Sequence, residues 1–141
     1  MADRIRIVSN TGQNLRVNPA DGVALLDGTL SPGTPAITGA AYTNNFAGAA
    51  TTMLYTIDVS TDKLYLQNPP NNGTLVEVGN LGVNVEAANG FDIGGTSGTP
   101  YALLSSSGGT KLYRIDLATG AATATGDFSS TATGFALGLG F

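Results

Sequence analysis

The segment LYRIDLATGAATATGDF, from Leu112 to Phe128, is the strongest indication of the architecture, because two degenerate copies of it occur earlier in the chain. The copies read LYLQNPPNNGTLVEVGNL and LRVNPADGVALLDGTL. All three share one frame, which is a glycine, five residues, a second glycine, any residue, and then Leu or Phe. The first glycines are Gly22, Gly73 and Gly120, the second glycines are Gly28, Gly79 and Gly126, and the apolar residues are Leu30, Leu81 and Phe128.

The frame predicts a β-hairpin followed by a short strand. A tight turn between antiparallel strands needs a residue with positive φ, which glycine adopts at little steric cost. The first glycines follow Asp, Asn or Thr, whose side chains bond turn backbone. Five residues make one strand of ordinary length, which the second glycine is expected to end. The apolar residue two places later is expected to anchor the exit loop.

The spacing of the copies predicts an all-β repeat fold. The first glycines recur about 50 residues apart, and repeats of about 40 to 50 residues with several short strands are typical of β-propeller blades. We predict three four-stranded blades in one domain, residues 1–141. The second blade is residues 36–81 and the third is 88–128. The first is split across the termini, as residues 1–30 plus 132–141.

Three blades do not close a ring, since propellers usually carry about four to eight. We therefore predict a homodimer that forms a six-bladed ring by strand exchange at the termini. In it, the C-terminal strand of each chain completes the first blade of the other, in a head-to-tail contact that closes under twofold rotation. An open fragment and a nine-bladed trimer are the alternatives.

The composition excludes several classes of partner. The chain is 42% hydrophobic and 11% charged, which favours a packed fold over disorder. The net charge is −4, and Arg4, Arg6 and Arg16 are expected on a solvated face, so nucleic acid is not a predicted partner. No apolar run is long enough for a membrane span. Without cysteine there is no disulfide or thiolate chemistry, and the sequence favours neither an oxidising nor a reducing compartment. The start, Met-Ala-Asp-Arg, is unlike a signal peptide and suggests a domain taken from a longer protein.

Three motifs carry a family resemblance over nearly the whole chain. ADRIRIVSNTGQNLRVNPADG, GAAYTNNFAG and GNLGVNVEAANGFDIGG resemble, in this order, a bacterial family of unknown function, DUF4394, whose members end in a TGAAT-type hairpin. The hairpins are also similar to YVTN-type surface propellers. The family's members are longer, and GFALGLGF resembles what precedes ADRIR in them, so the resemblance implies a permuted half. It implies the fold and a bacterial exterior or cell surface, and it transfers no catalytic residue.

The candidate site residues are oxygen-bearing side chains, because the chain contains no histidine for triad or zinc chemistry. Asp21, Asp58, Asp62 and Asp116 are expected to cap their own turns. Glu86, Asn89 and Asp92 belong to the inner strand of the third blade, where hard oxygen ligands would suit calcium or simply bond the next blade. Tyr42 and Asn44 end the second inner strand and are candidates for contact with a small ligand.

These observations favour a non-enzymatic propeller module that acts in interaction or structure, with itself as partner. We assign no catalytic residue, metal ligand or cofactor, and the small-molecule or protein ligand stays open. One alternative is a calcium-dependent hydrolase or lactonase, resembling other six-bladed enzymes. Another is a glycan-binding module, which the absence of tryptophan does not favour.

Overall fold

The computed structural model describes residues 3–86 and 89–138, and it is all-β with one short 3₁₀ turn, Pro70–Asn72, among them. The strands form three antiparallel sheets, of three, four and four strands. Sheet 1 contains β1 (Ile5–Val8), β2 (Asn14–Val17) and β3 (Ala24–Leu26). Sheet 2 contains β4 (Ile37–Tyr42), β5 (Leu54–Asp58), β6 (Lys63–Gln67) and β7 (Leu75–Asn80). Sheet 3 contains β8 (Asn89–Ile93), β9 (Pro100–Ser106), β10 (Gly109–Ile115) and β11 (Ala122–Phe128).

The prediction of an all-β chain is confirmed, and every sheet runs in chain order from its first strand to its last. Gly22, Gly73 and Gly120 have φ values of 72°, 72° and 83°, as the hairpin frame requires. The predicted strand from Ala88 begins outside the described residues, so its observed start is Asn89.

The second glycine of the frame does not end its strand in sheets 2 and 3, where that prediction is wrong. Strand β11 runs through Gly126 to Phe128, and β7 runs through Gly79 to Asn80. The pairing register shifts beside each glycine, because one residue of the outer strand is left without a partner. Such a β-bulge bends the strand while the ladder continues. In sheet 1, β3 does stop at Leu26, before Gly28.

The core lies mainly between sheets 2 and 3. Their first strands, β4 and β8, are neighbours, and β1 of sheet 1 approaches β4. The larger cluster of buried residues comprises Ala41, Tyr55, Ile57, Leu64, Leu81, Val85, Phe91, Ile93, Ala102, Leu104, Tyr113 and Ile115. A smaller cluster, Leu30, Ile37 and Leu75, joins the loop after sheet 1 to sheet 2. The sheets therefore pack face against face in chain order.

The two ends of this stack differ. Strand β1 forms one edge of sheet 1, with Ile5 and Ile7 exposed at 53% and 46%. After sheet 3, residues 132–138 contain no strand, contrary to the predicted C-terminal strand as far as the described residues extend. Residues 139–141 of that predicted strand lie outside the description. No helix in the described ranges is long and apolar enough to cross a membrane.

Candidate functional site

Asn89 sits at the start of β8, buried against sheet 2. Its side-chain amide donates a hydrogen bond to Thr38 Oγ1 and a longer one, 3.5 Å, to the backbone oxygen of Glu86. Its Oδ1 has no hydrogen-bond partner among the described residues and faces Gly39, where a Cβ would lie 3.2 Å from it. A Cβ on Gly39 would also lie 2.9 Å from the Cβ of Phe91. The absence of a side chain at Gly39 thus lets β8 approach β4 closely.

Asp92 points to the other side of β8, since residues three apart in a strand face opposite ways. Its Oδ1 accepts a hydrogen bond from the Ile93 N–H at 2.8 Å, and its Oδ2 accepts one from the Leu137 N–H at 2.8 Å. Beside it, a Cβ on Gly90 would lie 2.5 Å from the Cβ of Phe135. Asp92 therefore holds the segment of residues 132–138 against β8.

The remaining candidates do not join these two residues in one cluster. The Glu86 side chain is exposed, and its backbone N–H bonds Ser105 at 2.9 Å. Tyr42 accepts a hydrogen bond from Arg6 Nε at 3.3 Å. Asn44 has a φ of 50°, and its amide bonds the Thr51 carbonyl at 3.1 Å within the loop that follows β4. Among the described residues, no three His, Cys, Asp or Glu side chains are grouped as metal ligands.

Three of the four turn aspartates behave as predicted. Asp21, Asp58 and Asp116 accept hydrogen bonds from the N–H groups two residues ahead, at 2.9, 2.8 and 2.8 Å. The pKa of Asp116 is lowered, chiefly by the bond from the Ala118 N–H. For Asp62 the prediction is wrong, because its Oδ1 accepts from the Val85 N–H at 2.7 Å and so ties the loop after sheet 2 to that sheet.

A buried polar cluster that was not predicted from the sequence lies between sheets 1 and 2. Arg6 was expected on a solvated face, which is wrong, because its side chain is only 5% exposed. Its guanidinium donates to Asp27 at 2.6 Å and to Asn14 at 2.8 Å. It also donates to Asn71 at 2.7 Å. Gln67 is 1% exposed, and its amide donates to Asn14 at 3.2 Å.

Asp27 is the counter-ion that Arg6 shares with Arg16. It also accepts two hydrogen bonds from Arg16, at 2.7 and 2.8 Å, a bidentate geometry that carboxylates favour. Burial tends to raise the pKa of Asp27, but hydrogen bonds from Arg16 and Arg6 outweigh it and lower the pKa below the usual 3.8. In the folded register Arg6 and Arg16 are direct cross-strand partners, and the carboxylate between them offsets the repulsion of these two like charges.

Two surface clefts lie away from the five candidate residues. The larger, about 640 Å³, is lined by residues of sheet 3 and its turns, including Pro100, Arg114 and Asp116. The smaller, about 190 Å³, lies beside Asp58 and Tyr65. None of the predicted ligand-binding residues lines either cleft. The candidate residues therefore contact neighbouring segments of the chain and do not line a cleft.

Comparison with known proteins places the chain in a family. No curated protein matches it. A family model described as a domain of unknown function, DUF4394, matches residues 1–137, which is nearly the whole sequence. The resemblance seen in the motifs is thereby confirmed at the level of the family. This chain belongs to the DUF4394 family of domains of unknown function.

Proposed function

We propose that this chain is a non-enzymatic β-propeller module, used in interaction or structure, that completes itself by pairing with a second copy. The three sheets would be three blades, and two chains would form a six-bladed ring around a common axis. The observation that carries the proposal is the position of residues 132–138 beside β8.

That segment repeats, on the far side of sheet 3, the relation between sheets 2 and 3. Gly39 of β4 approaches Phe91 of β8, and Gly90 of β8 in turn approaches Phe135. Phe91 and Phe135 each follow a glycine, Gly90 and Gly134 respectively. This repeated contact supports the proposal that the segment is the first strand of a next blade.

Sheet 1 supplies the complement to that segment. It has three strands, and among the described residues none pairs with the outer edge of β1. Open strand edges with exposed apolar side chains favour association, and Ile5 and Ile7 are such side chains on β1. A strand beside β1 would bring sheet 1 to four strands, like sheets 2 and 3. The C-terminal segment of a second copy fits that place.

A dimer of this kind uses a head-to-tail contact twice. Heterologous contacts form closed rings when the rotation closes and open filaments when it does not. The segment of each chain would pair with β1 of the other, so both open edges are satisfied by one twofold axis. The role of the closed ring would be that of a scaffold, because the candidate polar residues Asp92 and Asn89 are engaged in holding strands and segments together.

Removal of residues 132–141 tests this proposal. The full chain is expected to have the mass of two 14.2 kDa chains by light scattering, and the shortened chain the mass of one. Circular dichroism checks that the shortened chain keeps its strands. A folded, shortened chain that still has the mass of the dimer would show that the segment does not join the copies.

A further inference from the structure

The sheets meet along seams where backbone lies on backbone, and each seam joins the second glycine of one frame to the hairpin of the next. A Cβ on Gly28 of sheet 1 would lie 2.5 Å from the Asn72 carbonyl oxygen, at the hairpin of Gly73. At the next seam, a Cβ on Gly79 would overlap the carbonyl oxygen of Thr119, and one on Gly120 would lie 2.5 Å from that of Gly79. Side chains larger than hydrogen do not fit at these contacts.

Backbone hydrogen bonds run along both seams. At the seam of sheets 1 and 2, the Ser31 N–H donates to the Gly73 carbonyl at 2.9 Å, and the Ser31 carbonyl accepts from the Leu75 N–H at 2.7 Å. At the seam of sheets 2 and 3, Leu81 accepts from the Ala122 N–H at 3.0 Å. Leu75 and Ala122 occupy the same place in the frame, two residues after the first glycine. The two seams therefore share the position of this N–H donor, while the accepting carbonyls, of Ser31 and Leu81, are one frame position apart.

The apolar residue of each of the first two frames is buried at its seam. Leu30 is 2% exposed and packs with Leu75, and Leu81 is 1% exposed in the core of sheets 2 and 3. The third frame breaks this pattern, since Phe128 is 45% exposed. A large aromatic side chain at a position that is otherwise fully buried indicates a missing neighbour.

Two frame glycines at the two ends of the stack both have free space where a side chain would lie. No described atom lies within 4 Å of a Cβ on Gly126, the second glycine of the last frame, or on Gly22, the first glycine of the first frame. The free side of sheet 3 at Gly126 and the free hairpin of sheet 1 at Gly22 thus carry the frame positions that meet at each seam inside the chain. We call them the two halves of a seam. Ala24, at the frame position of Leu75, is exposed and small, which leaves room for the larger Phe128.

We propose that a second copy of this chain docks on sheet 3 through a third seam, in which Gly126 lies on the Asp21–Gly22 hairpin of the partner and Phe128 is buried beside the partner's Ala24. This inference rests on the proposed dimer and adds the surface that selects the partner. The occupant is a second copy because one chain carries both halves of the seam, and neither half has a neighbour among residues 3–86 and 89–138. Twofold symmetry makes two such seams per dimer.

Gly126→Ala in the full chain tests the seam. In the single chain the added methyl has open space, so the variant is expected to fold normally, whereas in the dimer it would meet the partner's backbone. Sedimentation at a series of concentrations is expected to show the dimer dissociation constant raised about tenfold or more. Gly108→Ala is the matched control, since its nearest atom is Ser106 Oγ at 3.7 Å, and it should leave the dissociation constant unchanged.

A second pair of variants tests the seam without changing a glycine of β11, where Gly126→Ala could alter the strand itself. Phe128→Ala removes a side chain that the single chain leaves exposed, and it is also expected to weaken the dimer about tenfold or more. Val76→Ala, on the last strand of sheet 2 and 49% exposed, is its control and should have no effect on association. Circular dichroism of all four variants should match that of the parent chain.

The possible outcomes distinguish failure of the proposed seam from failure of the proposed dimer. If the parent chain is a dimer and Gly126→Ala and Phe128→Ala associate as tightly as it does, the seam is wrong and the proposed dimer stands. If the parent chain is a monomer, both proposals fall. Loss of folding in both Gly126→Ala and Phe128→Ala would also overturn the seam, because it would mean that these residues are needed within the single chain.

Discussion

Asp92 accepts a hydrogen bond from the backbone N–H of Leu137 at 2.8 Å, across 45 residues of sequence. The bond fixes the segment that follows sheet 3 against the outer face of β8. Beside it, Gly90 gives the segment room to lie close at Phe135. A single carboxylate and a single glycine thus place the part of the chain that we propose joins the two copies.

Asp92→Ala is expected to release this segment. Loss of a hydrogen bond to a charged acceptor costs about 1.5–3 kcal/mol, so the amide of Leu137 should exchange its hydrogen roughly ten- to a hundredfold faster. Hydrogen exchange followed by mass spectrometry measures this on the peptide that contains the segment. Asp92→Asn, which keeps an oxygen acceptor, should fall between the two. Equal exchange in the parent and Asp92→Ala would show that the carboxylate does not hold the segment.

Asp27→Asn is expected to destabilise the chain by about 3 kcal/mol at neutral pH, because it leaves Arg6 buried without its counter-ion. The pH dependence follows from the lowered pKa of Asp27. Its stabilising contribution is complete above the unfolded value of about 3.9 and is lost as the pH falls through the lower folded pKa. Urea denaturation of both proteins between about pH 7 and pH 3 measures the difference.

The control for that series is Asp127→Asn, whose carboxylate forms an exposed pair with Lys111 at 3.1 Å. An exposed pair contributes little, so this variant should unfold like the parent at every pH. A difference between Asp27→Asn and the parent that stayed constant down to pH 3 would argue against the ion pair as the source of the stability.

Gly79→Ala is expected to lower the free energy of unfolding by about 3 kcal/mol or more, since its methyl would overlap the Thr119 carbonyl at the seam of sheets 2 and 3. Thermal and urea unfolding measure the loss. Gly126→Ala is the comparison, with both variants made in the chain shortened by residues 132–141 and unfolded at low concentration, so that the proposed dimer contact does not contribute. It makes the same change at the same frame position where the single chain is open. Equal losses in the two variants would mean that strand propensity, and not the seam, decides the cost.

Calcium and EDTA are expected to leave the melting temperature unchanged within about 1 °C. A site occupied at a hundredfold excess over its dissociation constant would add about 2.7 kcal/mol, which would raise the melting temperature by several degrees. The expectation rests on Asp92, because both of its carboxylate oxygens already accept hydrogen bonds, from the N–H groups of Ile93 and Leu137. A calcium-dependent rise would favour the alternative of a calcium-dependent hydrolase.

The fold was predictable from the sequence where local chemistry decides it. The glycine frame located the hairpins, because a positive φ at Gly22, Gly73 and Gly120 is a local requirement. The bulges at Gly79 and Gly126 were not predictable in the same way. They depend on how the strand meets the neighbouring sheet, and a glycine in a strand looks the same whether it ends the strand or bends it.

The candidate site was predictable only in its residue types. Asn89 and Asp92 are indeed polar residues on a first strand, but the neighbour each one faces depends on the alternation of β8 and on the packing of distant segments. The prediction that Arg6 lies on a solvated face was wrong for the same reason. Its counter-ion, Asp27, is 21 residues away, directly after β3, and only the folded register brings the two together.

Sedimentation equilibrium of the 141-residue chain measures mass without reference to shape, and therefore shows whether two copies associate. We expect a mass of two chains of 14.2 kDa each, and a fraction of dimer that increases with concentration. A folded chain that remained at 14.2 kDa over the whole range would contradict this expectation, and a mass of three chains would replace the six-bladed ring by a nine-bladed one.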